Sequence, residues 1–202
     1  MSRVNNFFLF RLFSFCSMLL LIMSCNSDYT IRRRGYYKID LPQHQYQTFN
    51  KPGYPYTFEY PVYGSILQDT SFFEDEPEND YWINIEFPKL NGKIYISYKK
   101  IADDNFPKLV DDAFKMTYKH TYKATEIKDS LMQTPNGLSG IFFRVGGNAA
   151  TAKQFFVTDS TQHFLRGALY FDATPNADSL QVVNNFLEVD MAHLINTLRW
   201  KE

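Results

Sequence analysis

Few side chains in this sequence have the type and spacing that chemistry requires. The four histidines, His44, His120, His163 and His193, lack the short intervals of a metal centre. Residues 74–80 (EDEPEND) gather five acidic side chains and a proline. They lack the glycine and closing glutamate with which a calcium loop turns around its ion, so they read as a solvated loop. Gly137-Leu138-Ser139-Gly140 approaches a nucleophile elbow but carries Ile141 where a second glycine is needed. The metalloprotease pattern HExxH and the glycine-rich phosphate loops do not occur. No catalytic, cofactor-binding or metal-binding residue is therefore assigned, and no small-molecule substrate is expected.

Two polar residues fall where helical spacing calls for apolar ones. His120 lies one turn after Ala113 and Met116, and Asp190 lies on the inward arc of a C-terminal helix. A buried carboxylate is costly unless paired, so Asp190 is expected to meet Arg144, Arg166 or His163. The pair reads either as an acid–base or metal site or as structural hydrogen bonding. Partnered polar groups are common in cores, which favours the structural reading.

The strongest chemical signal is Cys25. Arg3 and Arg11 are the only charges in the first 24 residues, and residues 12–23 are mostly apolar. A run of that length falls short of the roughly 20 residues that span a bilayer and fits the apolar stretch of a signal peptide. It ends Ile22-Met23-Ser24-Cys25, which matches a bacterial lipobox apart from a bulky Met23, the alternative being an ordinary signal peptide with a chance cysteine. Cys16 leaves with the leader, so Cys25 is the one cysteine of the mature chain and an internal disulfide is ruled out there. Palmitate-type acyl chains on Cys25 contribute ~0.8 kcal/mol per buried methylene, enough for two or three chains to anchor permanently. Losing the leader's two arginines takes the net charge from −1 to −3, so no broad basic surface exists and nucleic acid is not an expected partner.

The organisation follows from this address. Residues 1–24 are the leader, 25–50 a lipidated tether with a first extended segment at 36–42 (YYKIDLP), and 51–202 one domain. Arg32, Arg33 and Arg34 would each gain ~1 kcal/mol beside anionic headgroups, or simply be solvated. With 45% apolar residues, 14 Tyr and 19 Phe, the chain can build a sizeable core.

Alternating Tyr54, Tyr56, Phe58 and Tyr60 predict a strand, and 62–68 another. Asn91-Gly92 predicts a two-residue hairpin turn in which Leu90 faces Lys93, Glu86 faces Ser97 and Asn84 faces Lys99. Ile83, Ile85 and Phe87 then share the core face with Ile94, Ile96 and Tyr98. The other face carries Trp82, Asn84, Glu86, Tyr95, Ser97 and Lys99, half-exposed or set against a partner.

Helices are expected at 105–123, capped by Asn105 with Phe106, Leu109, Val110, Ala113 and Met116 inward, and at 179–200, capped by Asp178. At least three strands lie between them, near 140–145, 154–158 and 164–171. The result is an α+β domain, an antiparallel β-sheet packed by two main helices.

Several segments carry a family resemblance: Arg34-Gly35-Tyr36, Ile39-Asp40-Leu41-Pro42, Phe58-Glu59-Tyr60-Pro61-Val62-Tyr63, Asn84-Ile85-Glu86-Phe87-Pro88, Ser97-Tyr98-Lys99-Lys100, Tyr118-Lys119-His120-Thr121, Gly147-Asn148-Ala149-Ala150, Gln154-Phe155-Phe156 and the run 158–171 (TDSTQHFLRGALYF). Through them nearly all of the mature chain resembles the gliding motility lipoprotein GldD family of Bacteroidetes-type bacteria. The resemblance implies a non-enzymatic envelope lipoprotein required for gliding and for the associated type IX secretion machinery. Its partners would be the membrane and other envelope proteins of that machinery, and only the lipidated Cys25 carries over as a site. The element order is also similar to the PsbP-like α+β fold.

The surfaces expected to meet partners are the Trp82/Asn84/Glu86/Tyr95/Ser97/Lys99 face and the 146–150 turn with Asn148. The alternative is a lipid-anchored small-ligand-binding or hydrolase domain, which a deep pocket with convergent polar groups would favour. Asn26 is not the aspartate that resembles an inner-membrane retention signal, and no dense acidic cluster follows Cys25. The expected address is the periplasmic face of the outer membrane.

Overall fold

In a computed structural model, residues 10, 11, 13–15, 35, 38–70, 77–102 and 105–201 are described. Cys25 and its lipobox, Arg32 to Arg34, Tyr36, Tyr37 and the acidic residues 74–76 lie outside them. The chain forms two compact units, 1–38 and 39–202. In the first, the described residues 10, 11 and 13–15 are helical and exposed. Among the described residues, no helix is long and apolar enough to cross a membrane.

The unit from Ile39 builds two antiparallel sheets. The smaller joins β1 (Tyr46–Phe49), β2 (Tyr56–Pro61) and β10 (Arg199–Trp200), with β2 in the middle. The larger has the order β3-β4-β5-β9-β8-β7-β6, from β3 (Ser65–Gln68), β4 (Ile83–Phe87), β5 (Gly92–Lys100), β6 (Ala124–Gln133), β7 (Ser139–Gly147), β8 (Lys153–Thr158) and β9 (His163–Phe171). Helix α1 (Phe106–Tyr118) and helix α2 (Ala177–Thr197) pack on opposite faces of the larger sheet. The α+β, antiparallel, two-helix reading of the sequence holds.

Side-chain alternation explains the layers. Tyr54, Tyr56 and Phe58 are buried, as their spacing requires. With Ile83, Ile85, Phe87, Ile94, Ile96 and Tyr98 they form one core with Val183, Leu187, Met191 and Leu194 of α2. A second, smaller cluster seats Leu109 and Ala113 of α1 on Phe143, Phe156 and Phe164. Each fully buried Leu or Phe contributes about 1.5–3 kcal/mol by leaving water.

The β4–β5 hairpin differs from the expected one. Phe87 faces Gly92, Glu86 faces Lys93 and Asn84 faces Tyr95. Pro88–Leu90 make a single 3-10 turn, and Pro88 has no N–H to give a ladder. Asn91 alone adopts the left-handed conformation, at φ 47. Gly92 serves packing instead, because a Cβ there would lie 3.1 Å from the Phe171 ring of the paired strand. The register is displaced by four residues, an even number, so the same side chains still face the core.

Other expectations shift at their ends. Strand β3 covers only part of 62–68. Helix α1 stops at Tyr118 and a 3-10 turn, Lys119–Tyr122, takes its place. Asn105 accepts from the Ala102 N–H rather than capping the helix with its side chain. Met116 is exposed, and its inward position falls to Thr117, which donates to the Ala113 carbonyl at 3.0 Å. Asn176 rather than Asp178 caps α2, accepting from the Ser179 N–H. After Thr197 the chain leaves the helix and residues 199–200 become β10.

Strand β6 is absent from the sequence reading because none of its residues is buried, so no apolar alternation marks it. Of the elbow-like Gly137–Gly140 spelling, Gly137 and Leu138 lie in the turn from β6 into β7, and Ser139 and Gly140 open β7. Gly137 has φ +78 there, and the Leu138 N–H donates to Thr134 Oγ1.

Candidate functional site

Asp190, 1% exposed, is the most deeply buried carboxylate on α2. Its Oδ1 accepts from Tyr46 at 3.0 Å and faces His44 Nδ1 at 2.7 Å, and its Oδ2 accepts from Tyr63. None of these is Arg144, Arg166 or His163, so the expected donors are corrected. Glu188 takes Arg144 and Lys153 instead. Two residues along a helix turn the side chain by about 200°, so Glu188 reaches β7 and β8 while Asp190 reaches the chain before β1.

The two tyrosine donors keep their protons across physiological pH. Burial, then the hydrogen bond to Asp190 and its charge, push the Tyr46 hydroxyl up to about 12, and the same causes raise Tyr63 further. Alongside, Tyr46 stacks on His193 at 3.6 Å, and His193 Nε2 meets Glu59 Oε2 at 2.6 Å. The cluster has no three-ligand geometry, and its described residues form no group able to hold a metal. What it does physically is fasten residues 44–46 and the loop at Tyr63 to α2.

The expected partner face divides in two. Trp82 and Asn84 are buried, not half-exposed; the Trp82 indole N–H donates to the Tyr98 carbonyl at 2.9 Å. Glu86, Tyr95, Ser97 and Lys99 remain part-exposed. Glu86 pairs with Lys93 at 2.7 Å and Lys99 with Glu78 at 2.6 Å. An open hollow of about 480 Å3 lies here, lined by Glu86, Lys93, Tyr95 and Tyr170 among others. Asn148 is exposed and its Oδ1 accepts from the Ala177 N–H, tying the 146–150 turn to the start of α2. Gly146 and Gly147 of that turn line a second hollow of about 410 Å3.

Two histidines lie apart from Asp190. Tyr98 and His163 Nδ1 are 2.7 Å apart, and Asp159 stands 4.0 Å from His163 Nε2. Burial pushes the Tyr98 hydroxyl up to about 12, so it is protonated near neutrality and a poor nucleophile. Burial alone would raise Asp159, but backbone N–H groups of Gln162, His163 and Thr161 outweigh it and hold the carboxyl below its usual range. His120, in the 3-10 turn after α1, sits near the buried Arg166.

Burial lowers both His120 and His163 from the ordinary 6.5, assisted at His120 by the charge of Arg166. Folded protein then binds these protons more weakly than unfolded chain. Stability is expected to be level above about pH 6.5 and to fall as pH drops below it. His120→Gln, which does not titrate, should flatten part of that acid limb in thermal melts between pH 7.5 and 5. An unchanged limb would remove His120 from the account.

The match to known families spans this whole frame. The model of the gliding motility lipoprotein GldD family covers residues 26–200. The chain belongs to the GldD family. It is thus a gliding-motility lipoprotein by family, with the lipid-anchored envelope location that description carries. Comparison with curated proteins found no match. Among solved structures, the solution structure of cyanobacterial PsbP (CyanoP) from Synechocystis sp. PCC 6803 is similar at a TM-score of 0.45 and 10% identity. The similarity covers 85% of this chain and 99% of that one. At that score it supports no inference about what this GldD-family chain does.

Proposed function

We propose that this GldD-family lipoprotein is a non-enzymatic assembly component of the gliding and type IX secretion machinery. Acyl chains on Cys25 hold it to the outer membrane, and its domain faces the periplasm and docks other envelope proteins. The observation that supports docking most directly is the β4–β5 half of the outer sheet face. Helix α1 roofs the β7–β8–β9 end through Phe143, Phe156 and Phe164. The other half presents Glu86, Lys93, Tyr95, Ser97 and Lys99, an aromatic centre flanked by ion pairs of both signs. Tyrosine among charges suits a polar, specific interface, and pairs of opposite sign orient a partner more than they tighten it.

Crosslinking and affinity capture from envelopes tests this reading. The wild-type protein is expected in the outer-membrane fraction, with acyl mass on the peptide that begins at Cys25 and envelope proteins among its crosslinks. Cys25→Ala should move most of the protein to the soluble fraction and abolish those crosslinks. An unmodified, freely soluble wild-type product, or crosslinks to cytoplasmic proteins alone, would defeat the proposal.

A further inference from the structure

Arg166 is an unusual resident of this fold. It lies on β9, opposite Ser97 of β5 and Phe156 of β8, and only 9% of its surface is exposed. Its one hydrogen bond among the described residues runs from Nη2 to Gln154 Oε1. Gln154 is registered with Ala168, so the guanidinium reaches along its own strand toward that small side chain. No described carboxylate lies within ion-pair distance. A guanidinium has five N–H donors and keeps its charge when buried, and an unpaired buried charge is among the costliest features a fold can carry.

A second donor beside it is also unmet. Gln154 is fully buried, and its Oε1 accepts from both Arg166 and Thr117. Those two donors fix the orientation of the amide, since the flipped form would turn an NH2 toward the guanidinium. Gln154 Nε2 is then left buried with no partner among the described residues. His120 stands near the same charge, from the turn that follows α1. Two nitrogen-bearing groups, from β8 and β9, thus gather on the outer face with no described carboxylate beside them.

We propose that Arg166 and Gln154 Nε2 form an oxyanion site that takes a carboxylate, with His120 feeling the charge held there. A planar carboxylate matches the fork of a guanidinium through two parallel N–H···O bonds and leaves an edge for the Gln154 amide. Arg166 is only 9% exposed, so an occupant is limited to the end of a short acid or acidic side chain and cannot be a bulky headgroup. The neighbouring titratable groups that act on Arg166 and His120 are Tyr170 and each other, and the Tyr170 phenol is raised by burial and stays neutral. A bound carboxylate supplies a negative charge that the described residues do not, and favours the protonated form of His120. This site is independent of the docking role proposed above.

The test uses the full lipoprotein in detergent, titrated at pH 7 and constant ionic strength with formate or acetate, against phosphate and against chloride. Formate and acetate are expected to raise the melting temperature saturably, by about 5 °C at a hundredfold excess over Kd. The His120 imidazole should titrate at higher pH in formate than in chloride.

Gln154→Glu places a carboxylate beside the guanidinium within the chain. It should raise the melting temperature and abolish the formate response. Arg166→Met should also abolish it; if that variant does not fold, Gln154→Glu decides alone. The proposal fails if formate behaves as chloride does, if phosphate alone stabilises, if Arg166→Met folds and still responds, or if Gln154→Glu lowers stability or retains the response.

Discussion

Asp190→Ala is expected to lower the melting temperature by roughly 10 °C, a loss of about 3–5 kcal/mol in a domain of this size. The substitution removes the acceptor for His44, Tyr46 and Tyr63 in one step. It leaves the hydroxyls of the half-buried Tyr46 and Tyr63 without their acceptor, while His44, which is exposed, can turn to water. Asp190→Asn keeps the shape and one acceptor oxygen, so its cost is smaller, about 1–2 kcal/mol. The same loss should be visible locally. With the fastening gone, limited proteolysis is expected to cut within residues 39–45 well before the core strands. A melting point unchanged in Asp190→Ala would mean that water replaces the lost acceptor at little cost.

Gly140→Ala should be equally severe for a different reason. A Cβ at Gly140 would sit 2.0 Å from the Phe156 carbonyl oxygen on the neighbouring strand β8. The obstacle is backbone, so no rotamer relieves it, and β7 must part from β8 at the end of their ladder, one strand in from the β6 edge of the larger sheet. A loss of about 3 kcal/mol or more is expected in urea titrations. Gly53→Ala is the control: φ is +83 there but a Cβ meets nothing within 4 Å, so only the left-handed backbone penalty of about 1 kcal/mol applies. Comparable losses in the two variants would show that conformation, not contact, sets the cost at Gly140.

Much of the fold was legible because burial imposes a period. Tyr54, Tyr56 and Phe58 announce an inward strand face, and Val183, Leu187, Met191 and Leu194 announce α2. Even a misjudged turn at Asn91-Gly92 left the correct residues inside, since the displacement was even. β6 stayed hidden for the converse reason: an edge strand with no buried residue has no pattern to read, and Leu131 on it is 90% exposed.

The polar clusters were legible only in half. Asp190 betrays itself by interrupting an apolar arc, but its partners lie more than 120 residues earlier, and two of them, His44 and Tyr46, fall in a stretch whose composition reads as tether. Tyr63 and Tyr46 look like ordinary core aromatics until the fold brings them to the carboxylate. Arg166 was visible as a cation in a strand. That it meets an amide rather than an acid depends on the β8–β9 register, which no local signal contains.

The small sheet places β2 between β1, near the beginning of the domain, and β10, near its end. A chain emerging N-terminus first, from a ribosome or through an export channel, cannot seat Arg199 and Trp200 beside Tyr56 and Thr57 until almost all of it is out. Pairings this distant in sequence slow folding. The topology therefore makes the small sheet the last to close, since its third strand is supplied only by the final residues.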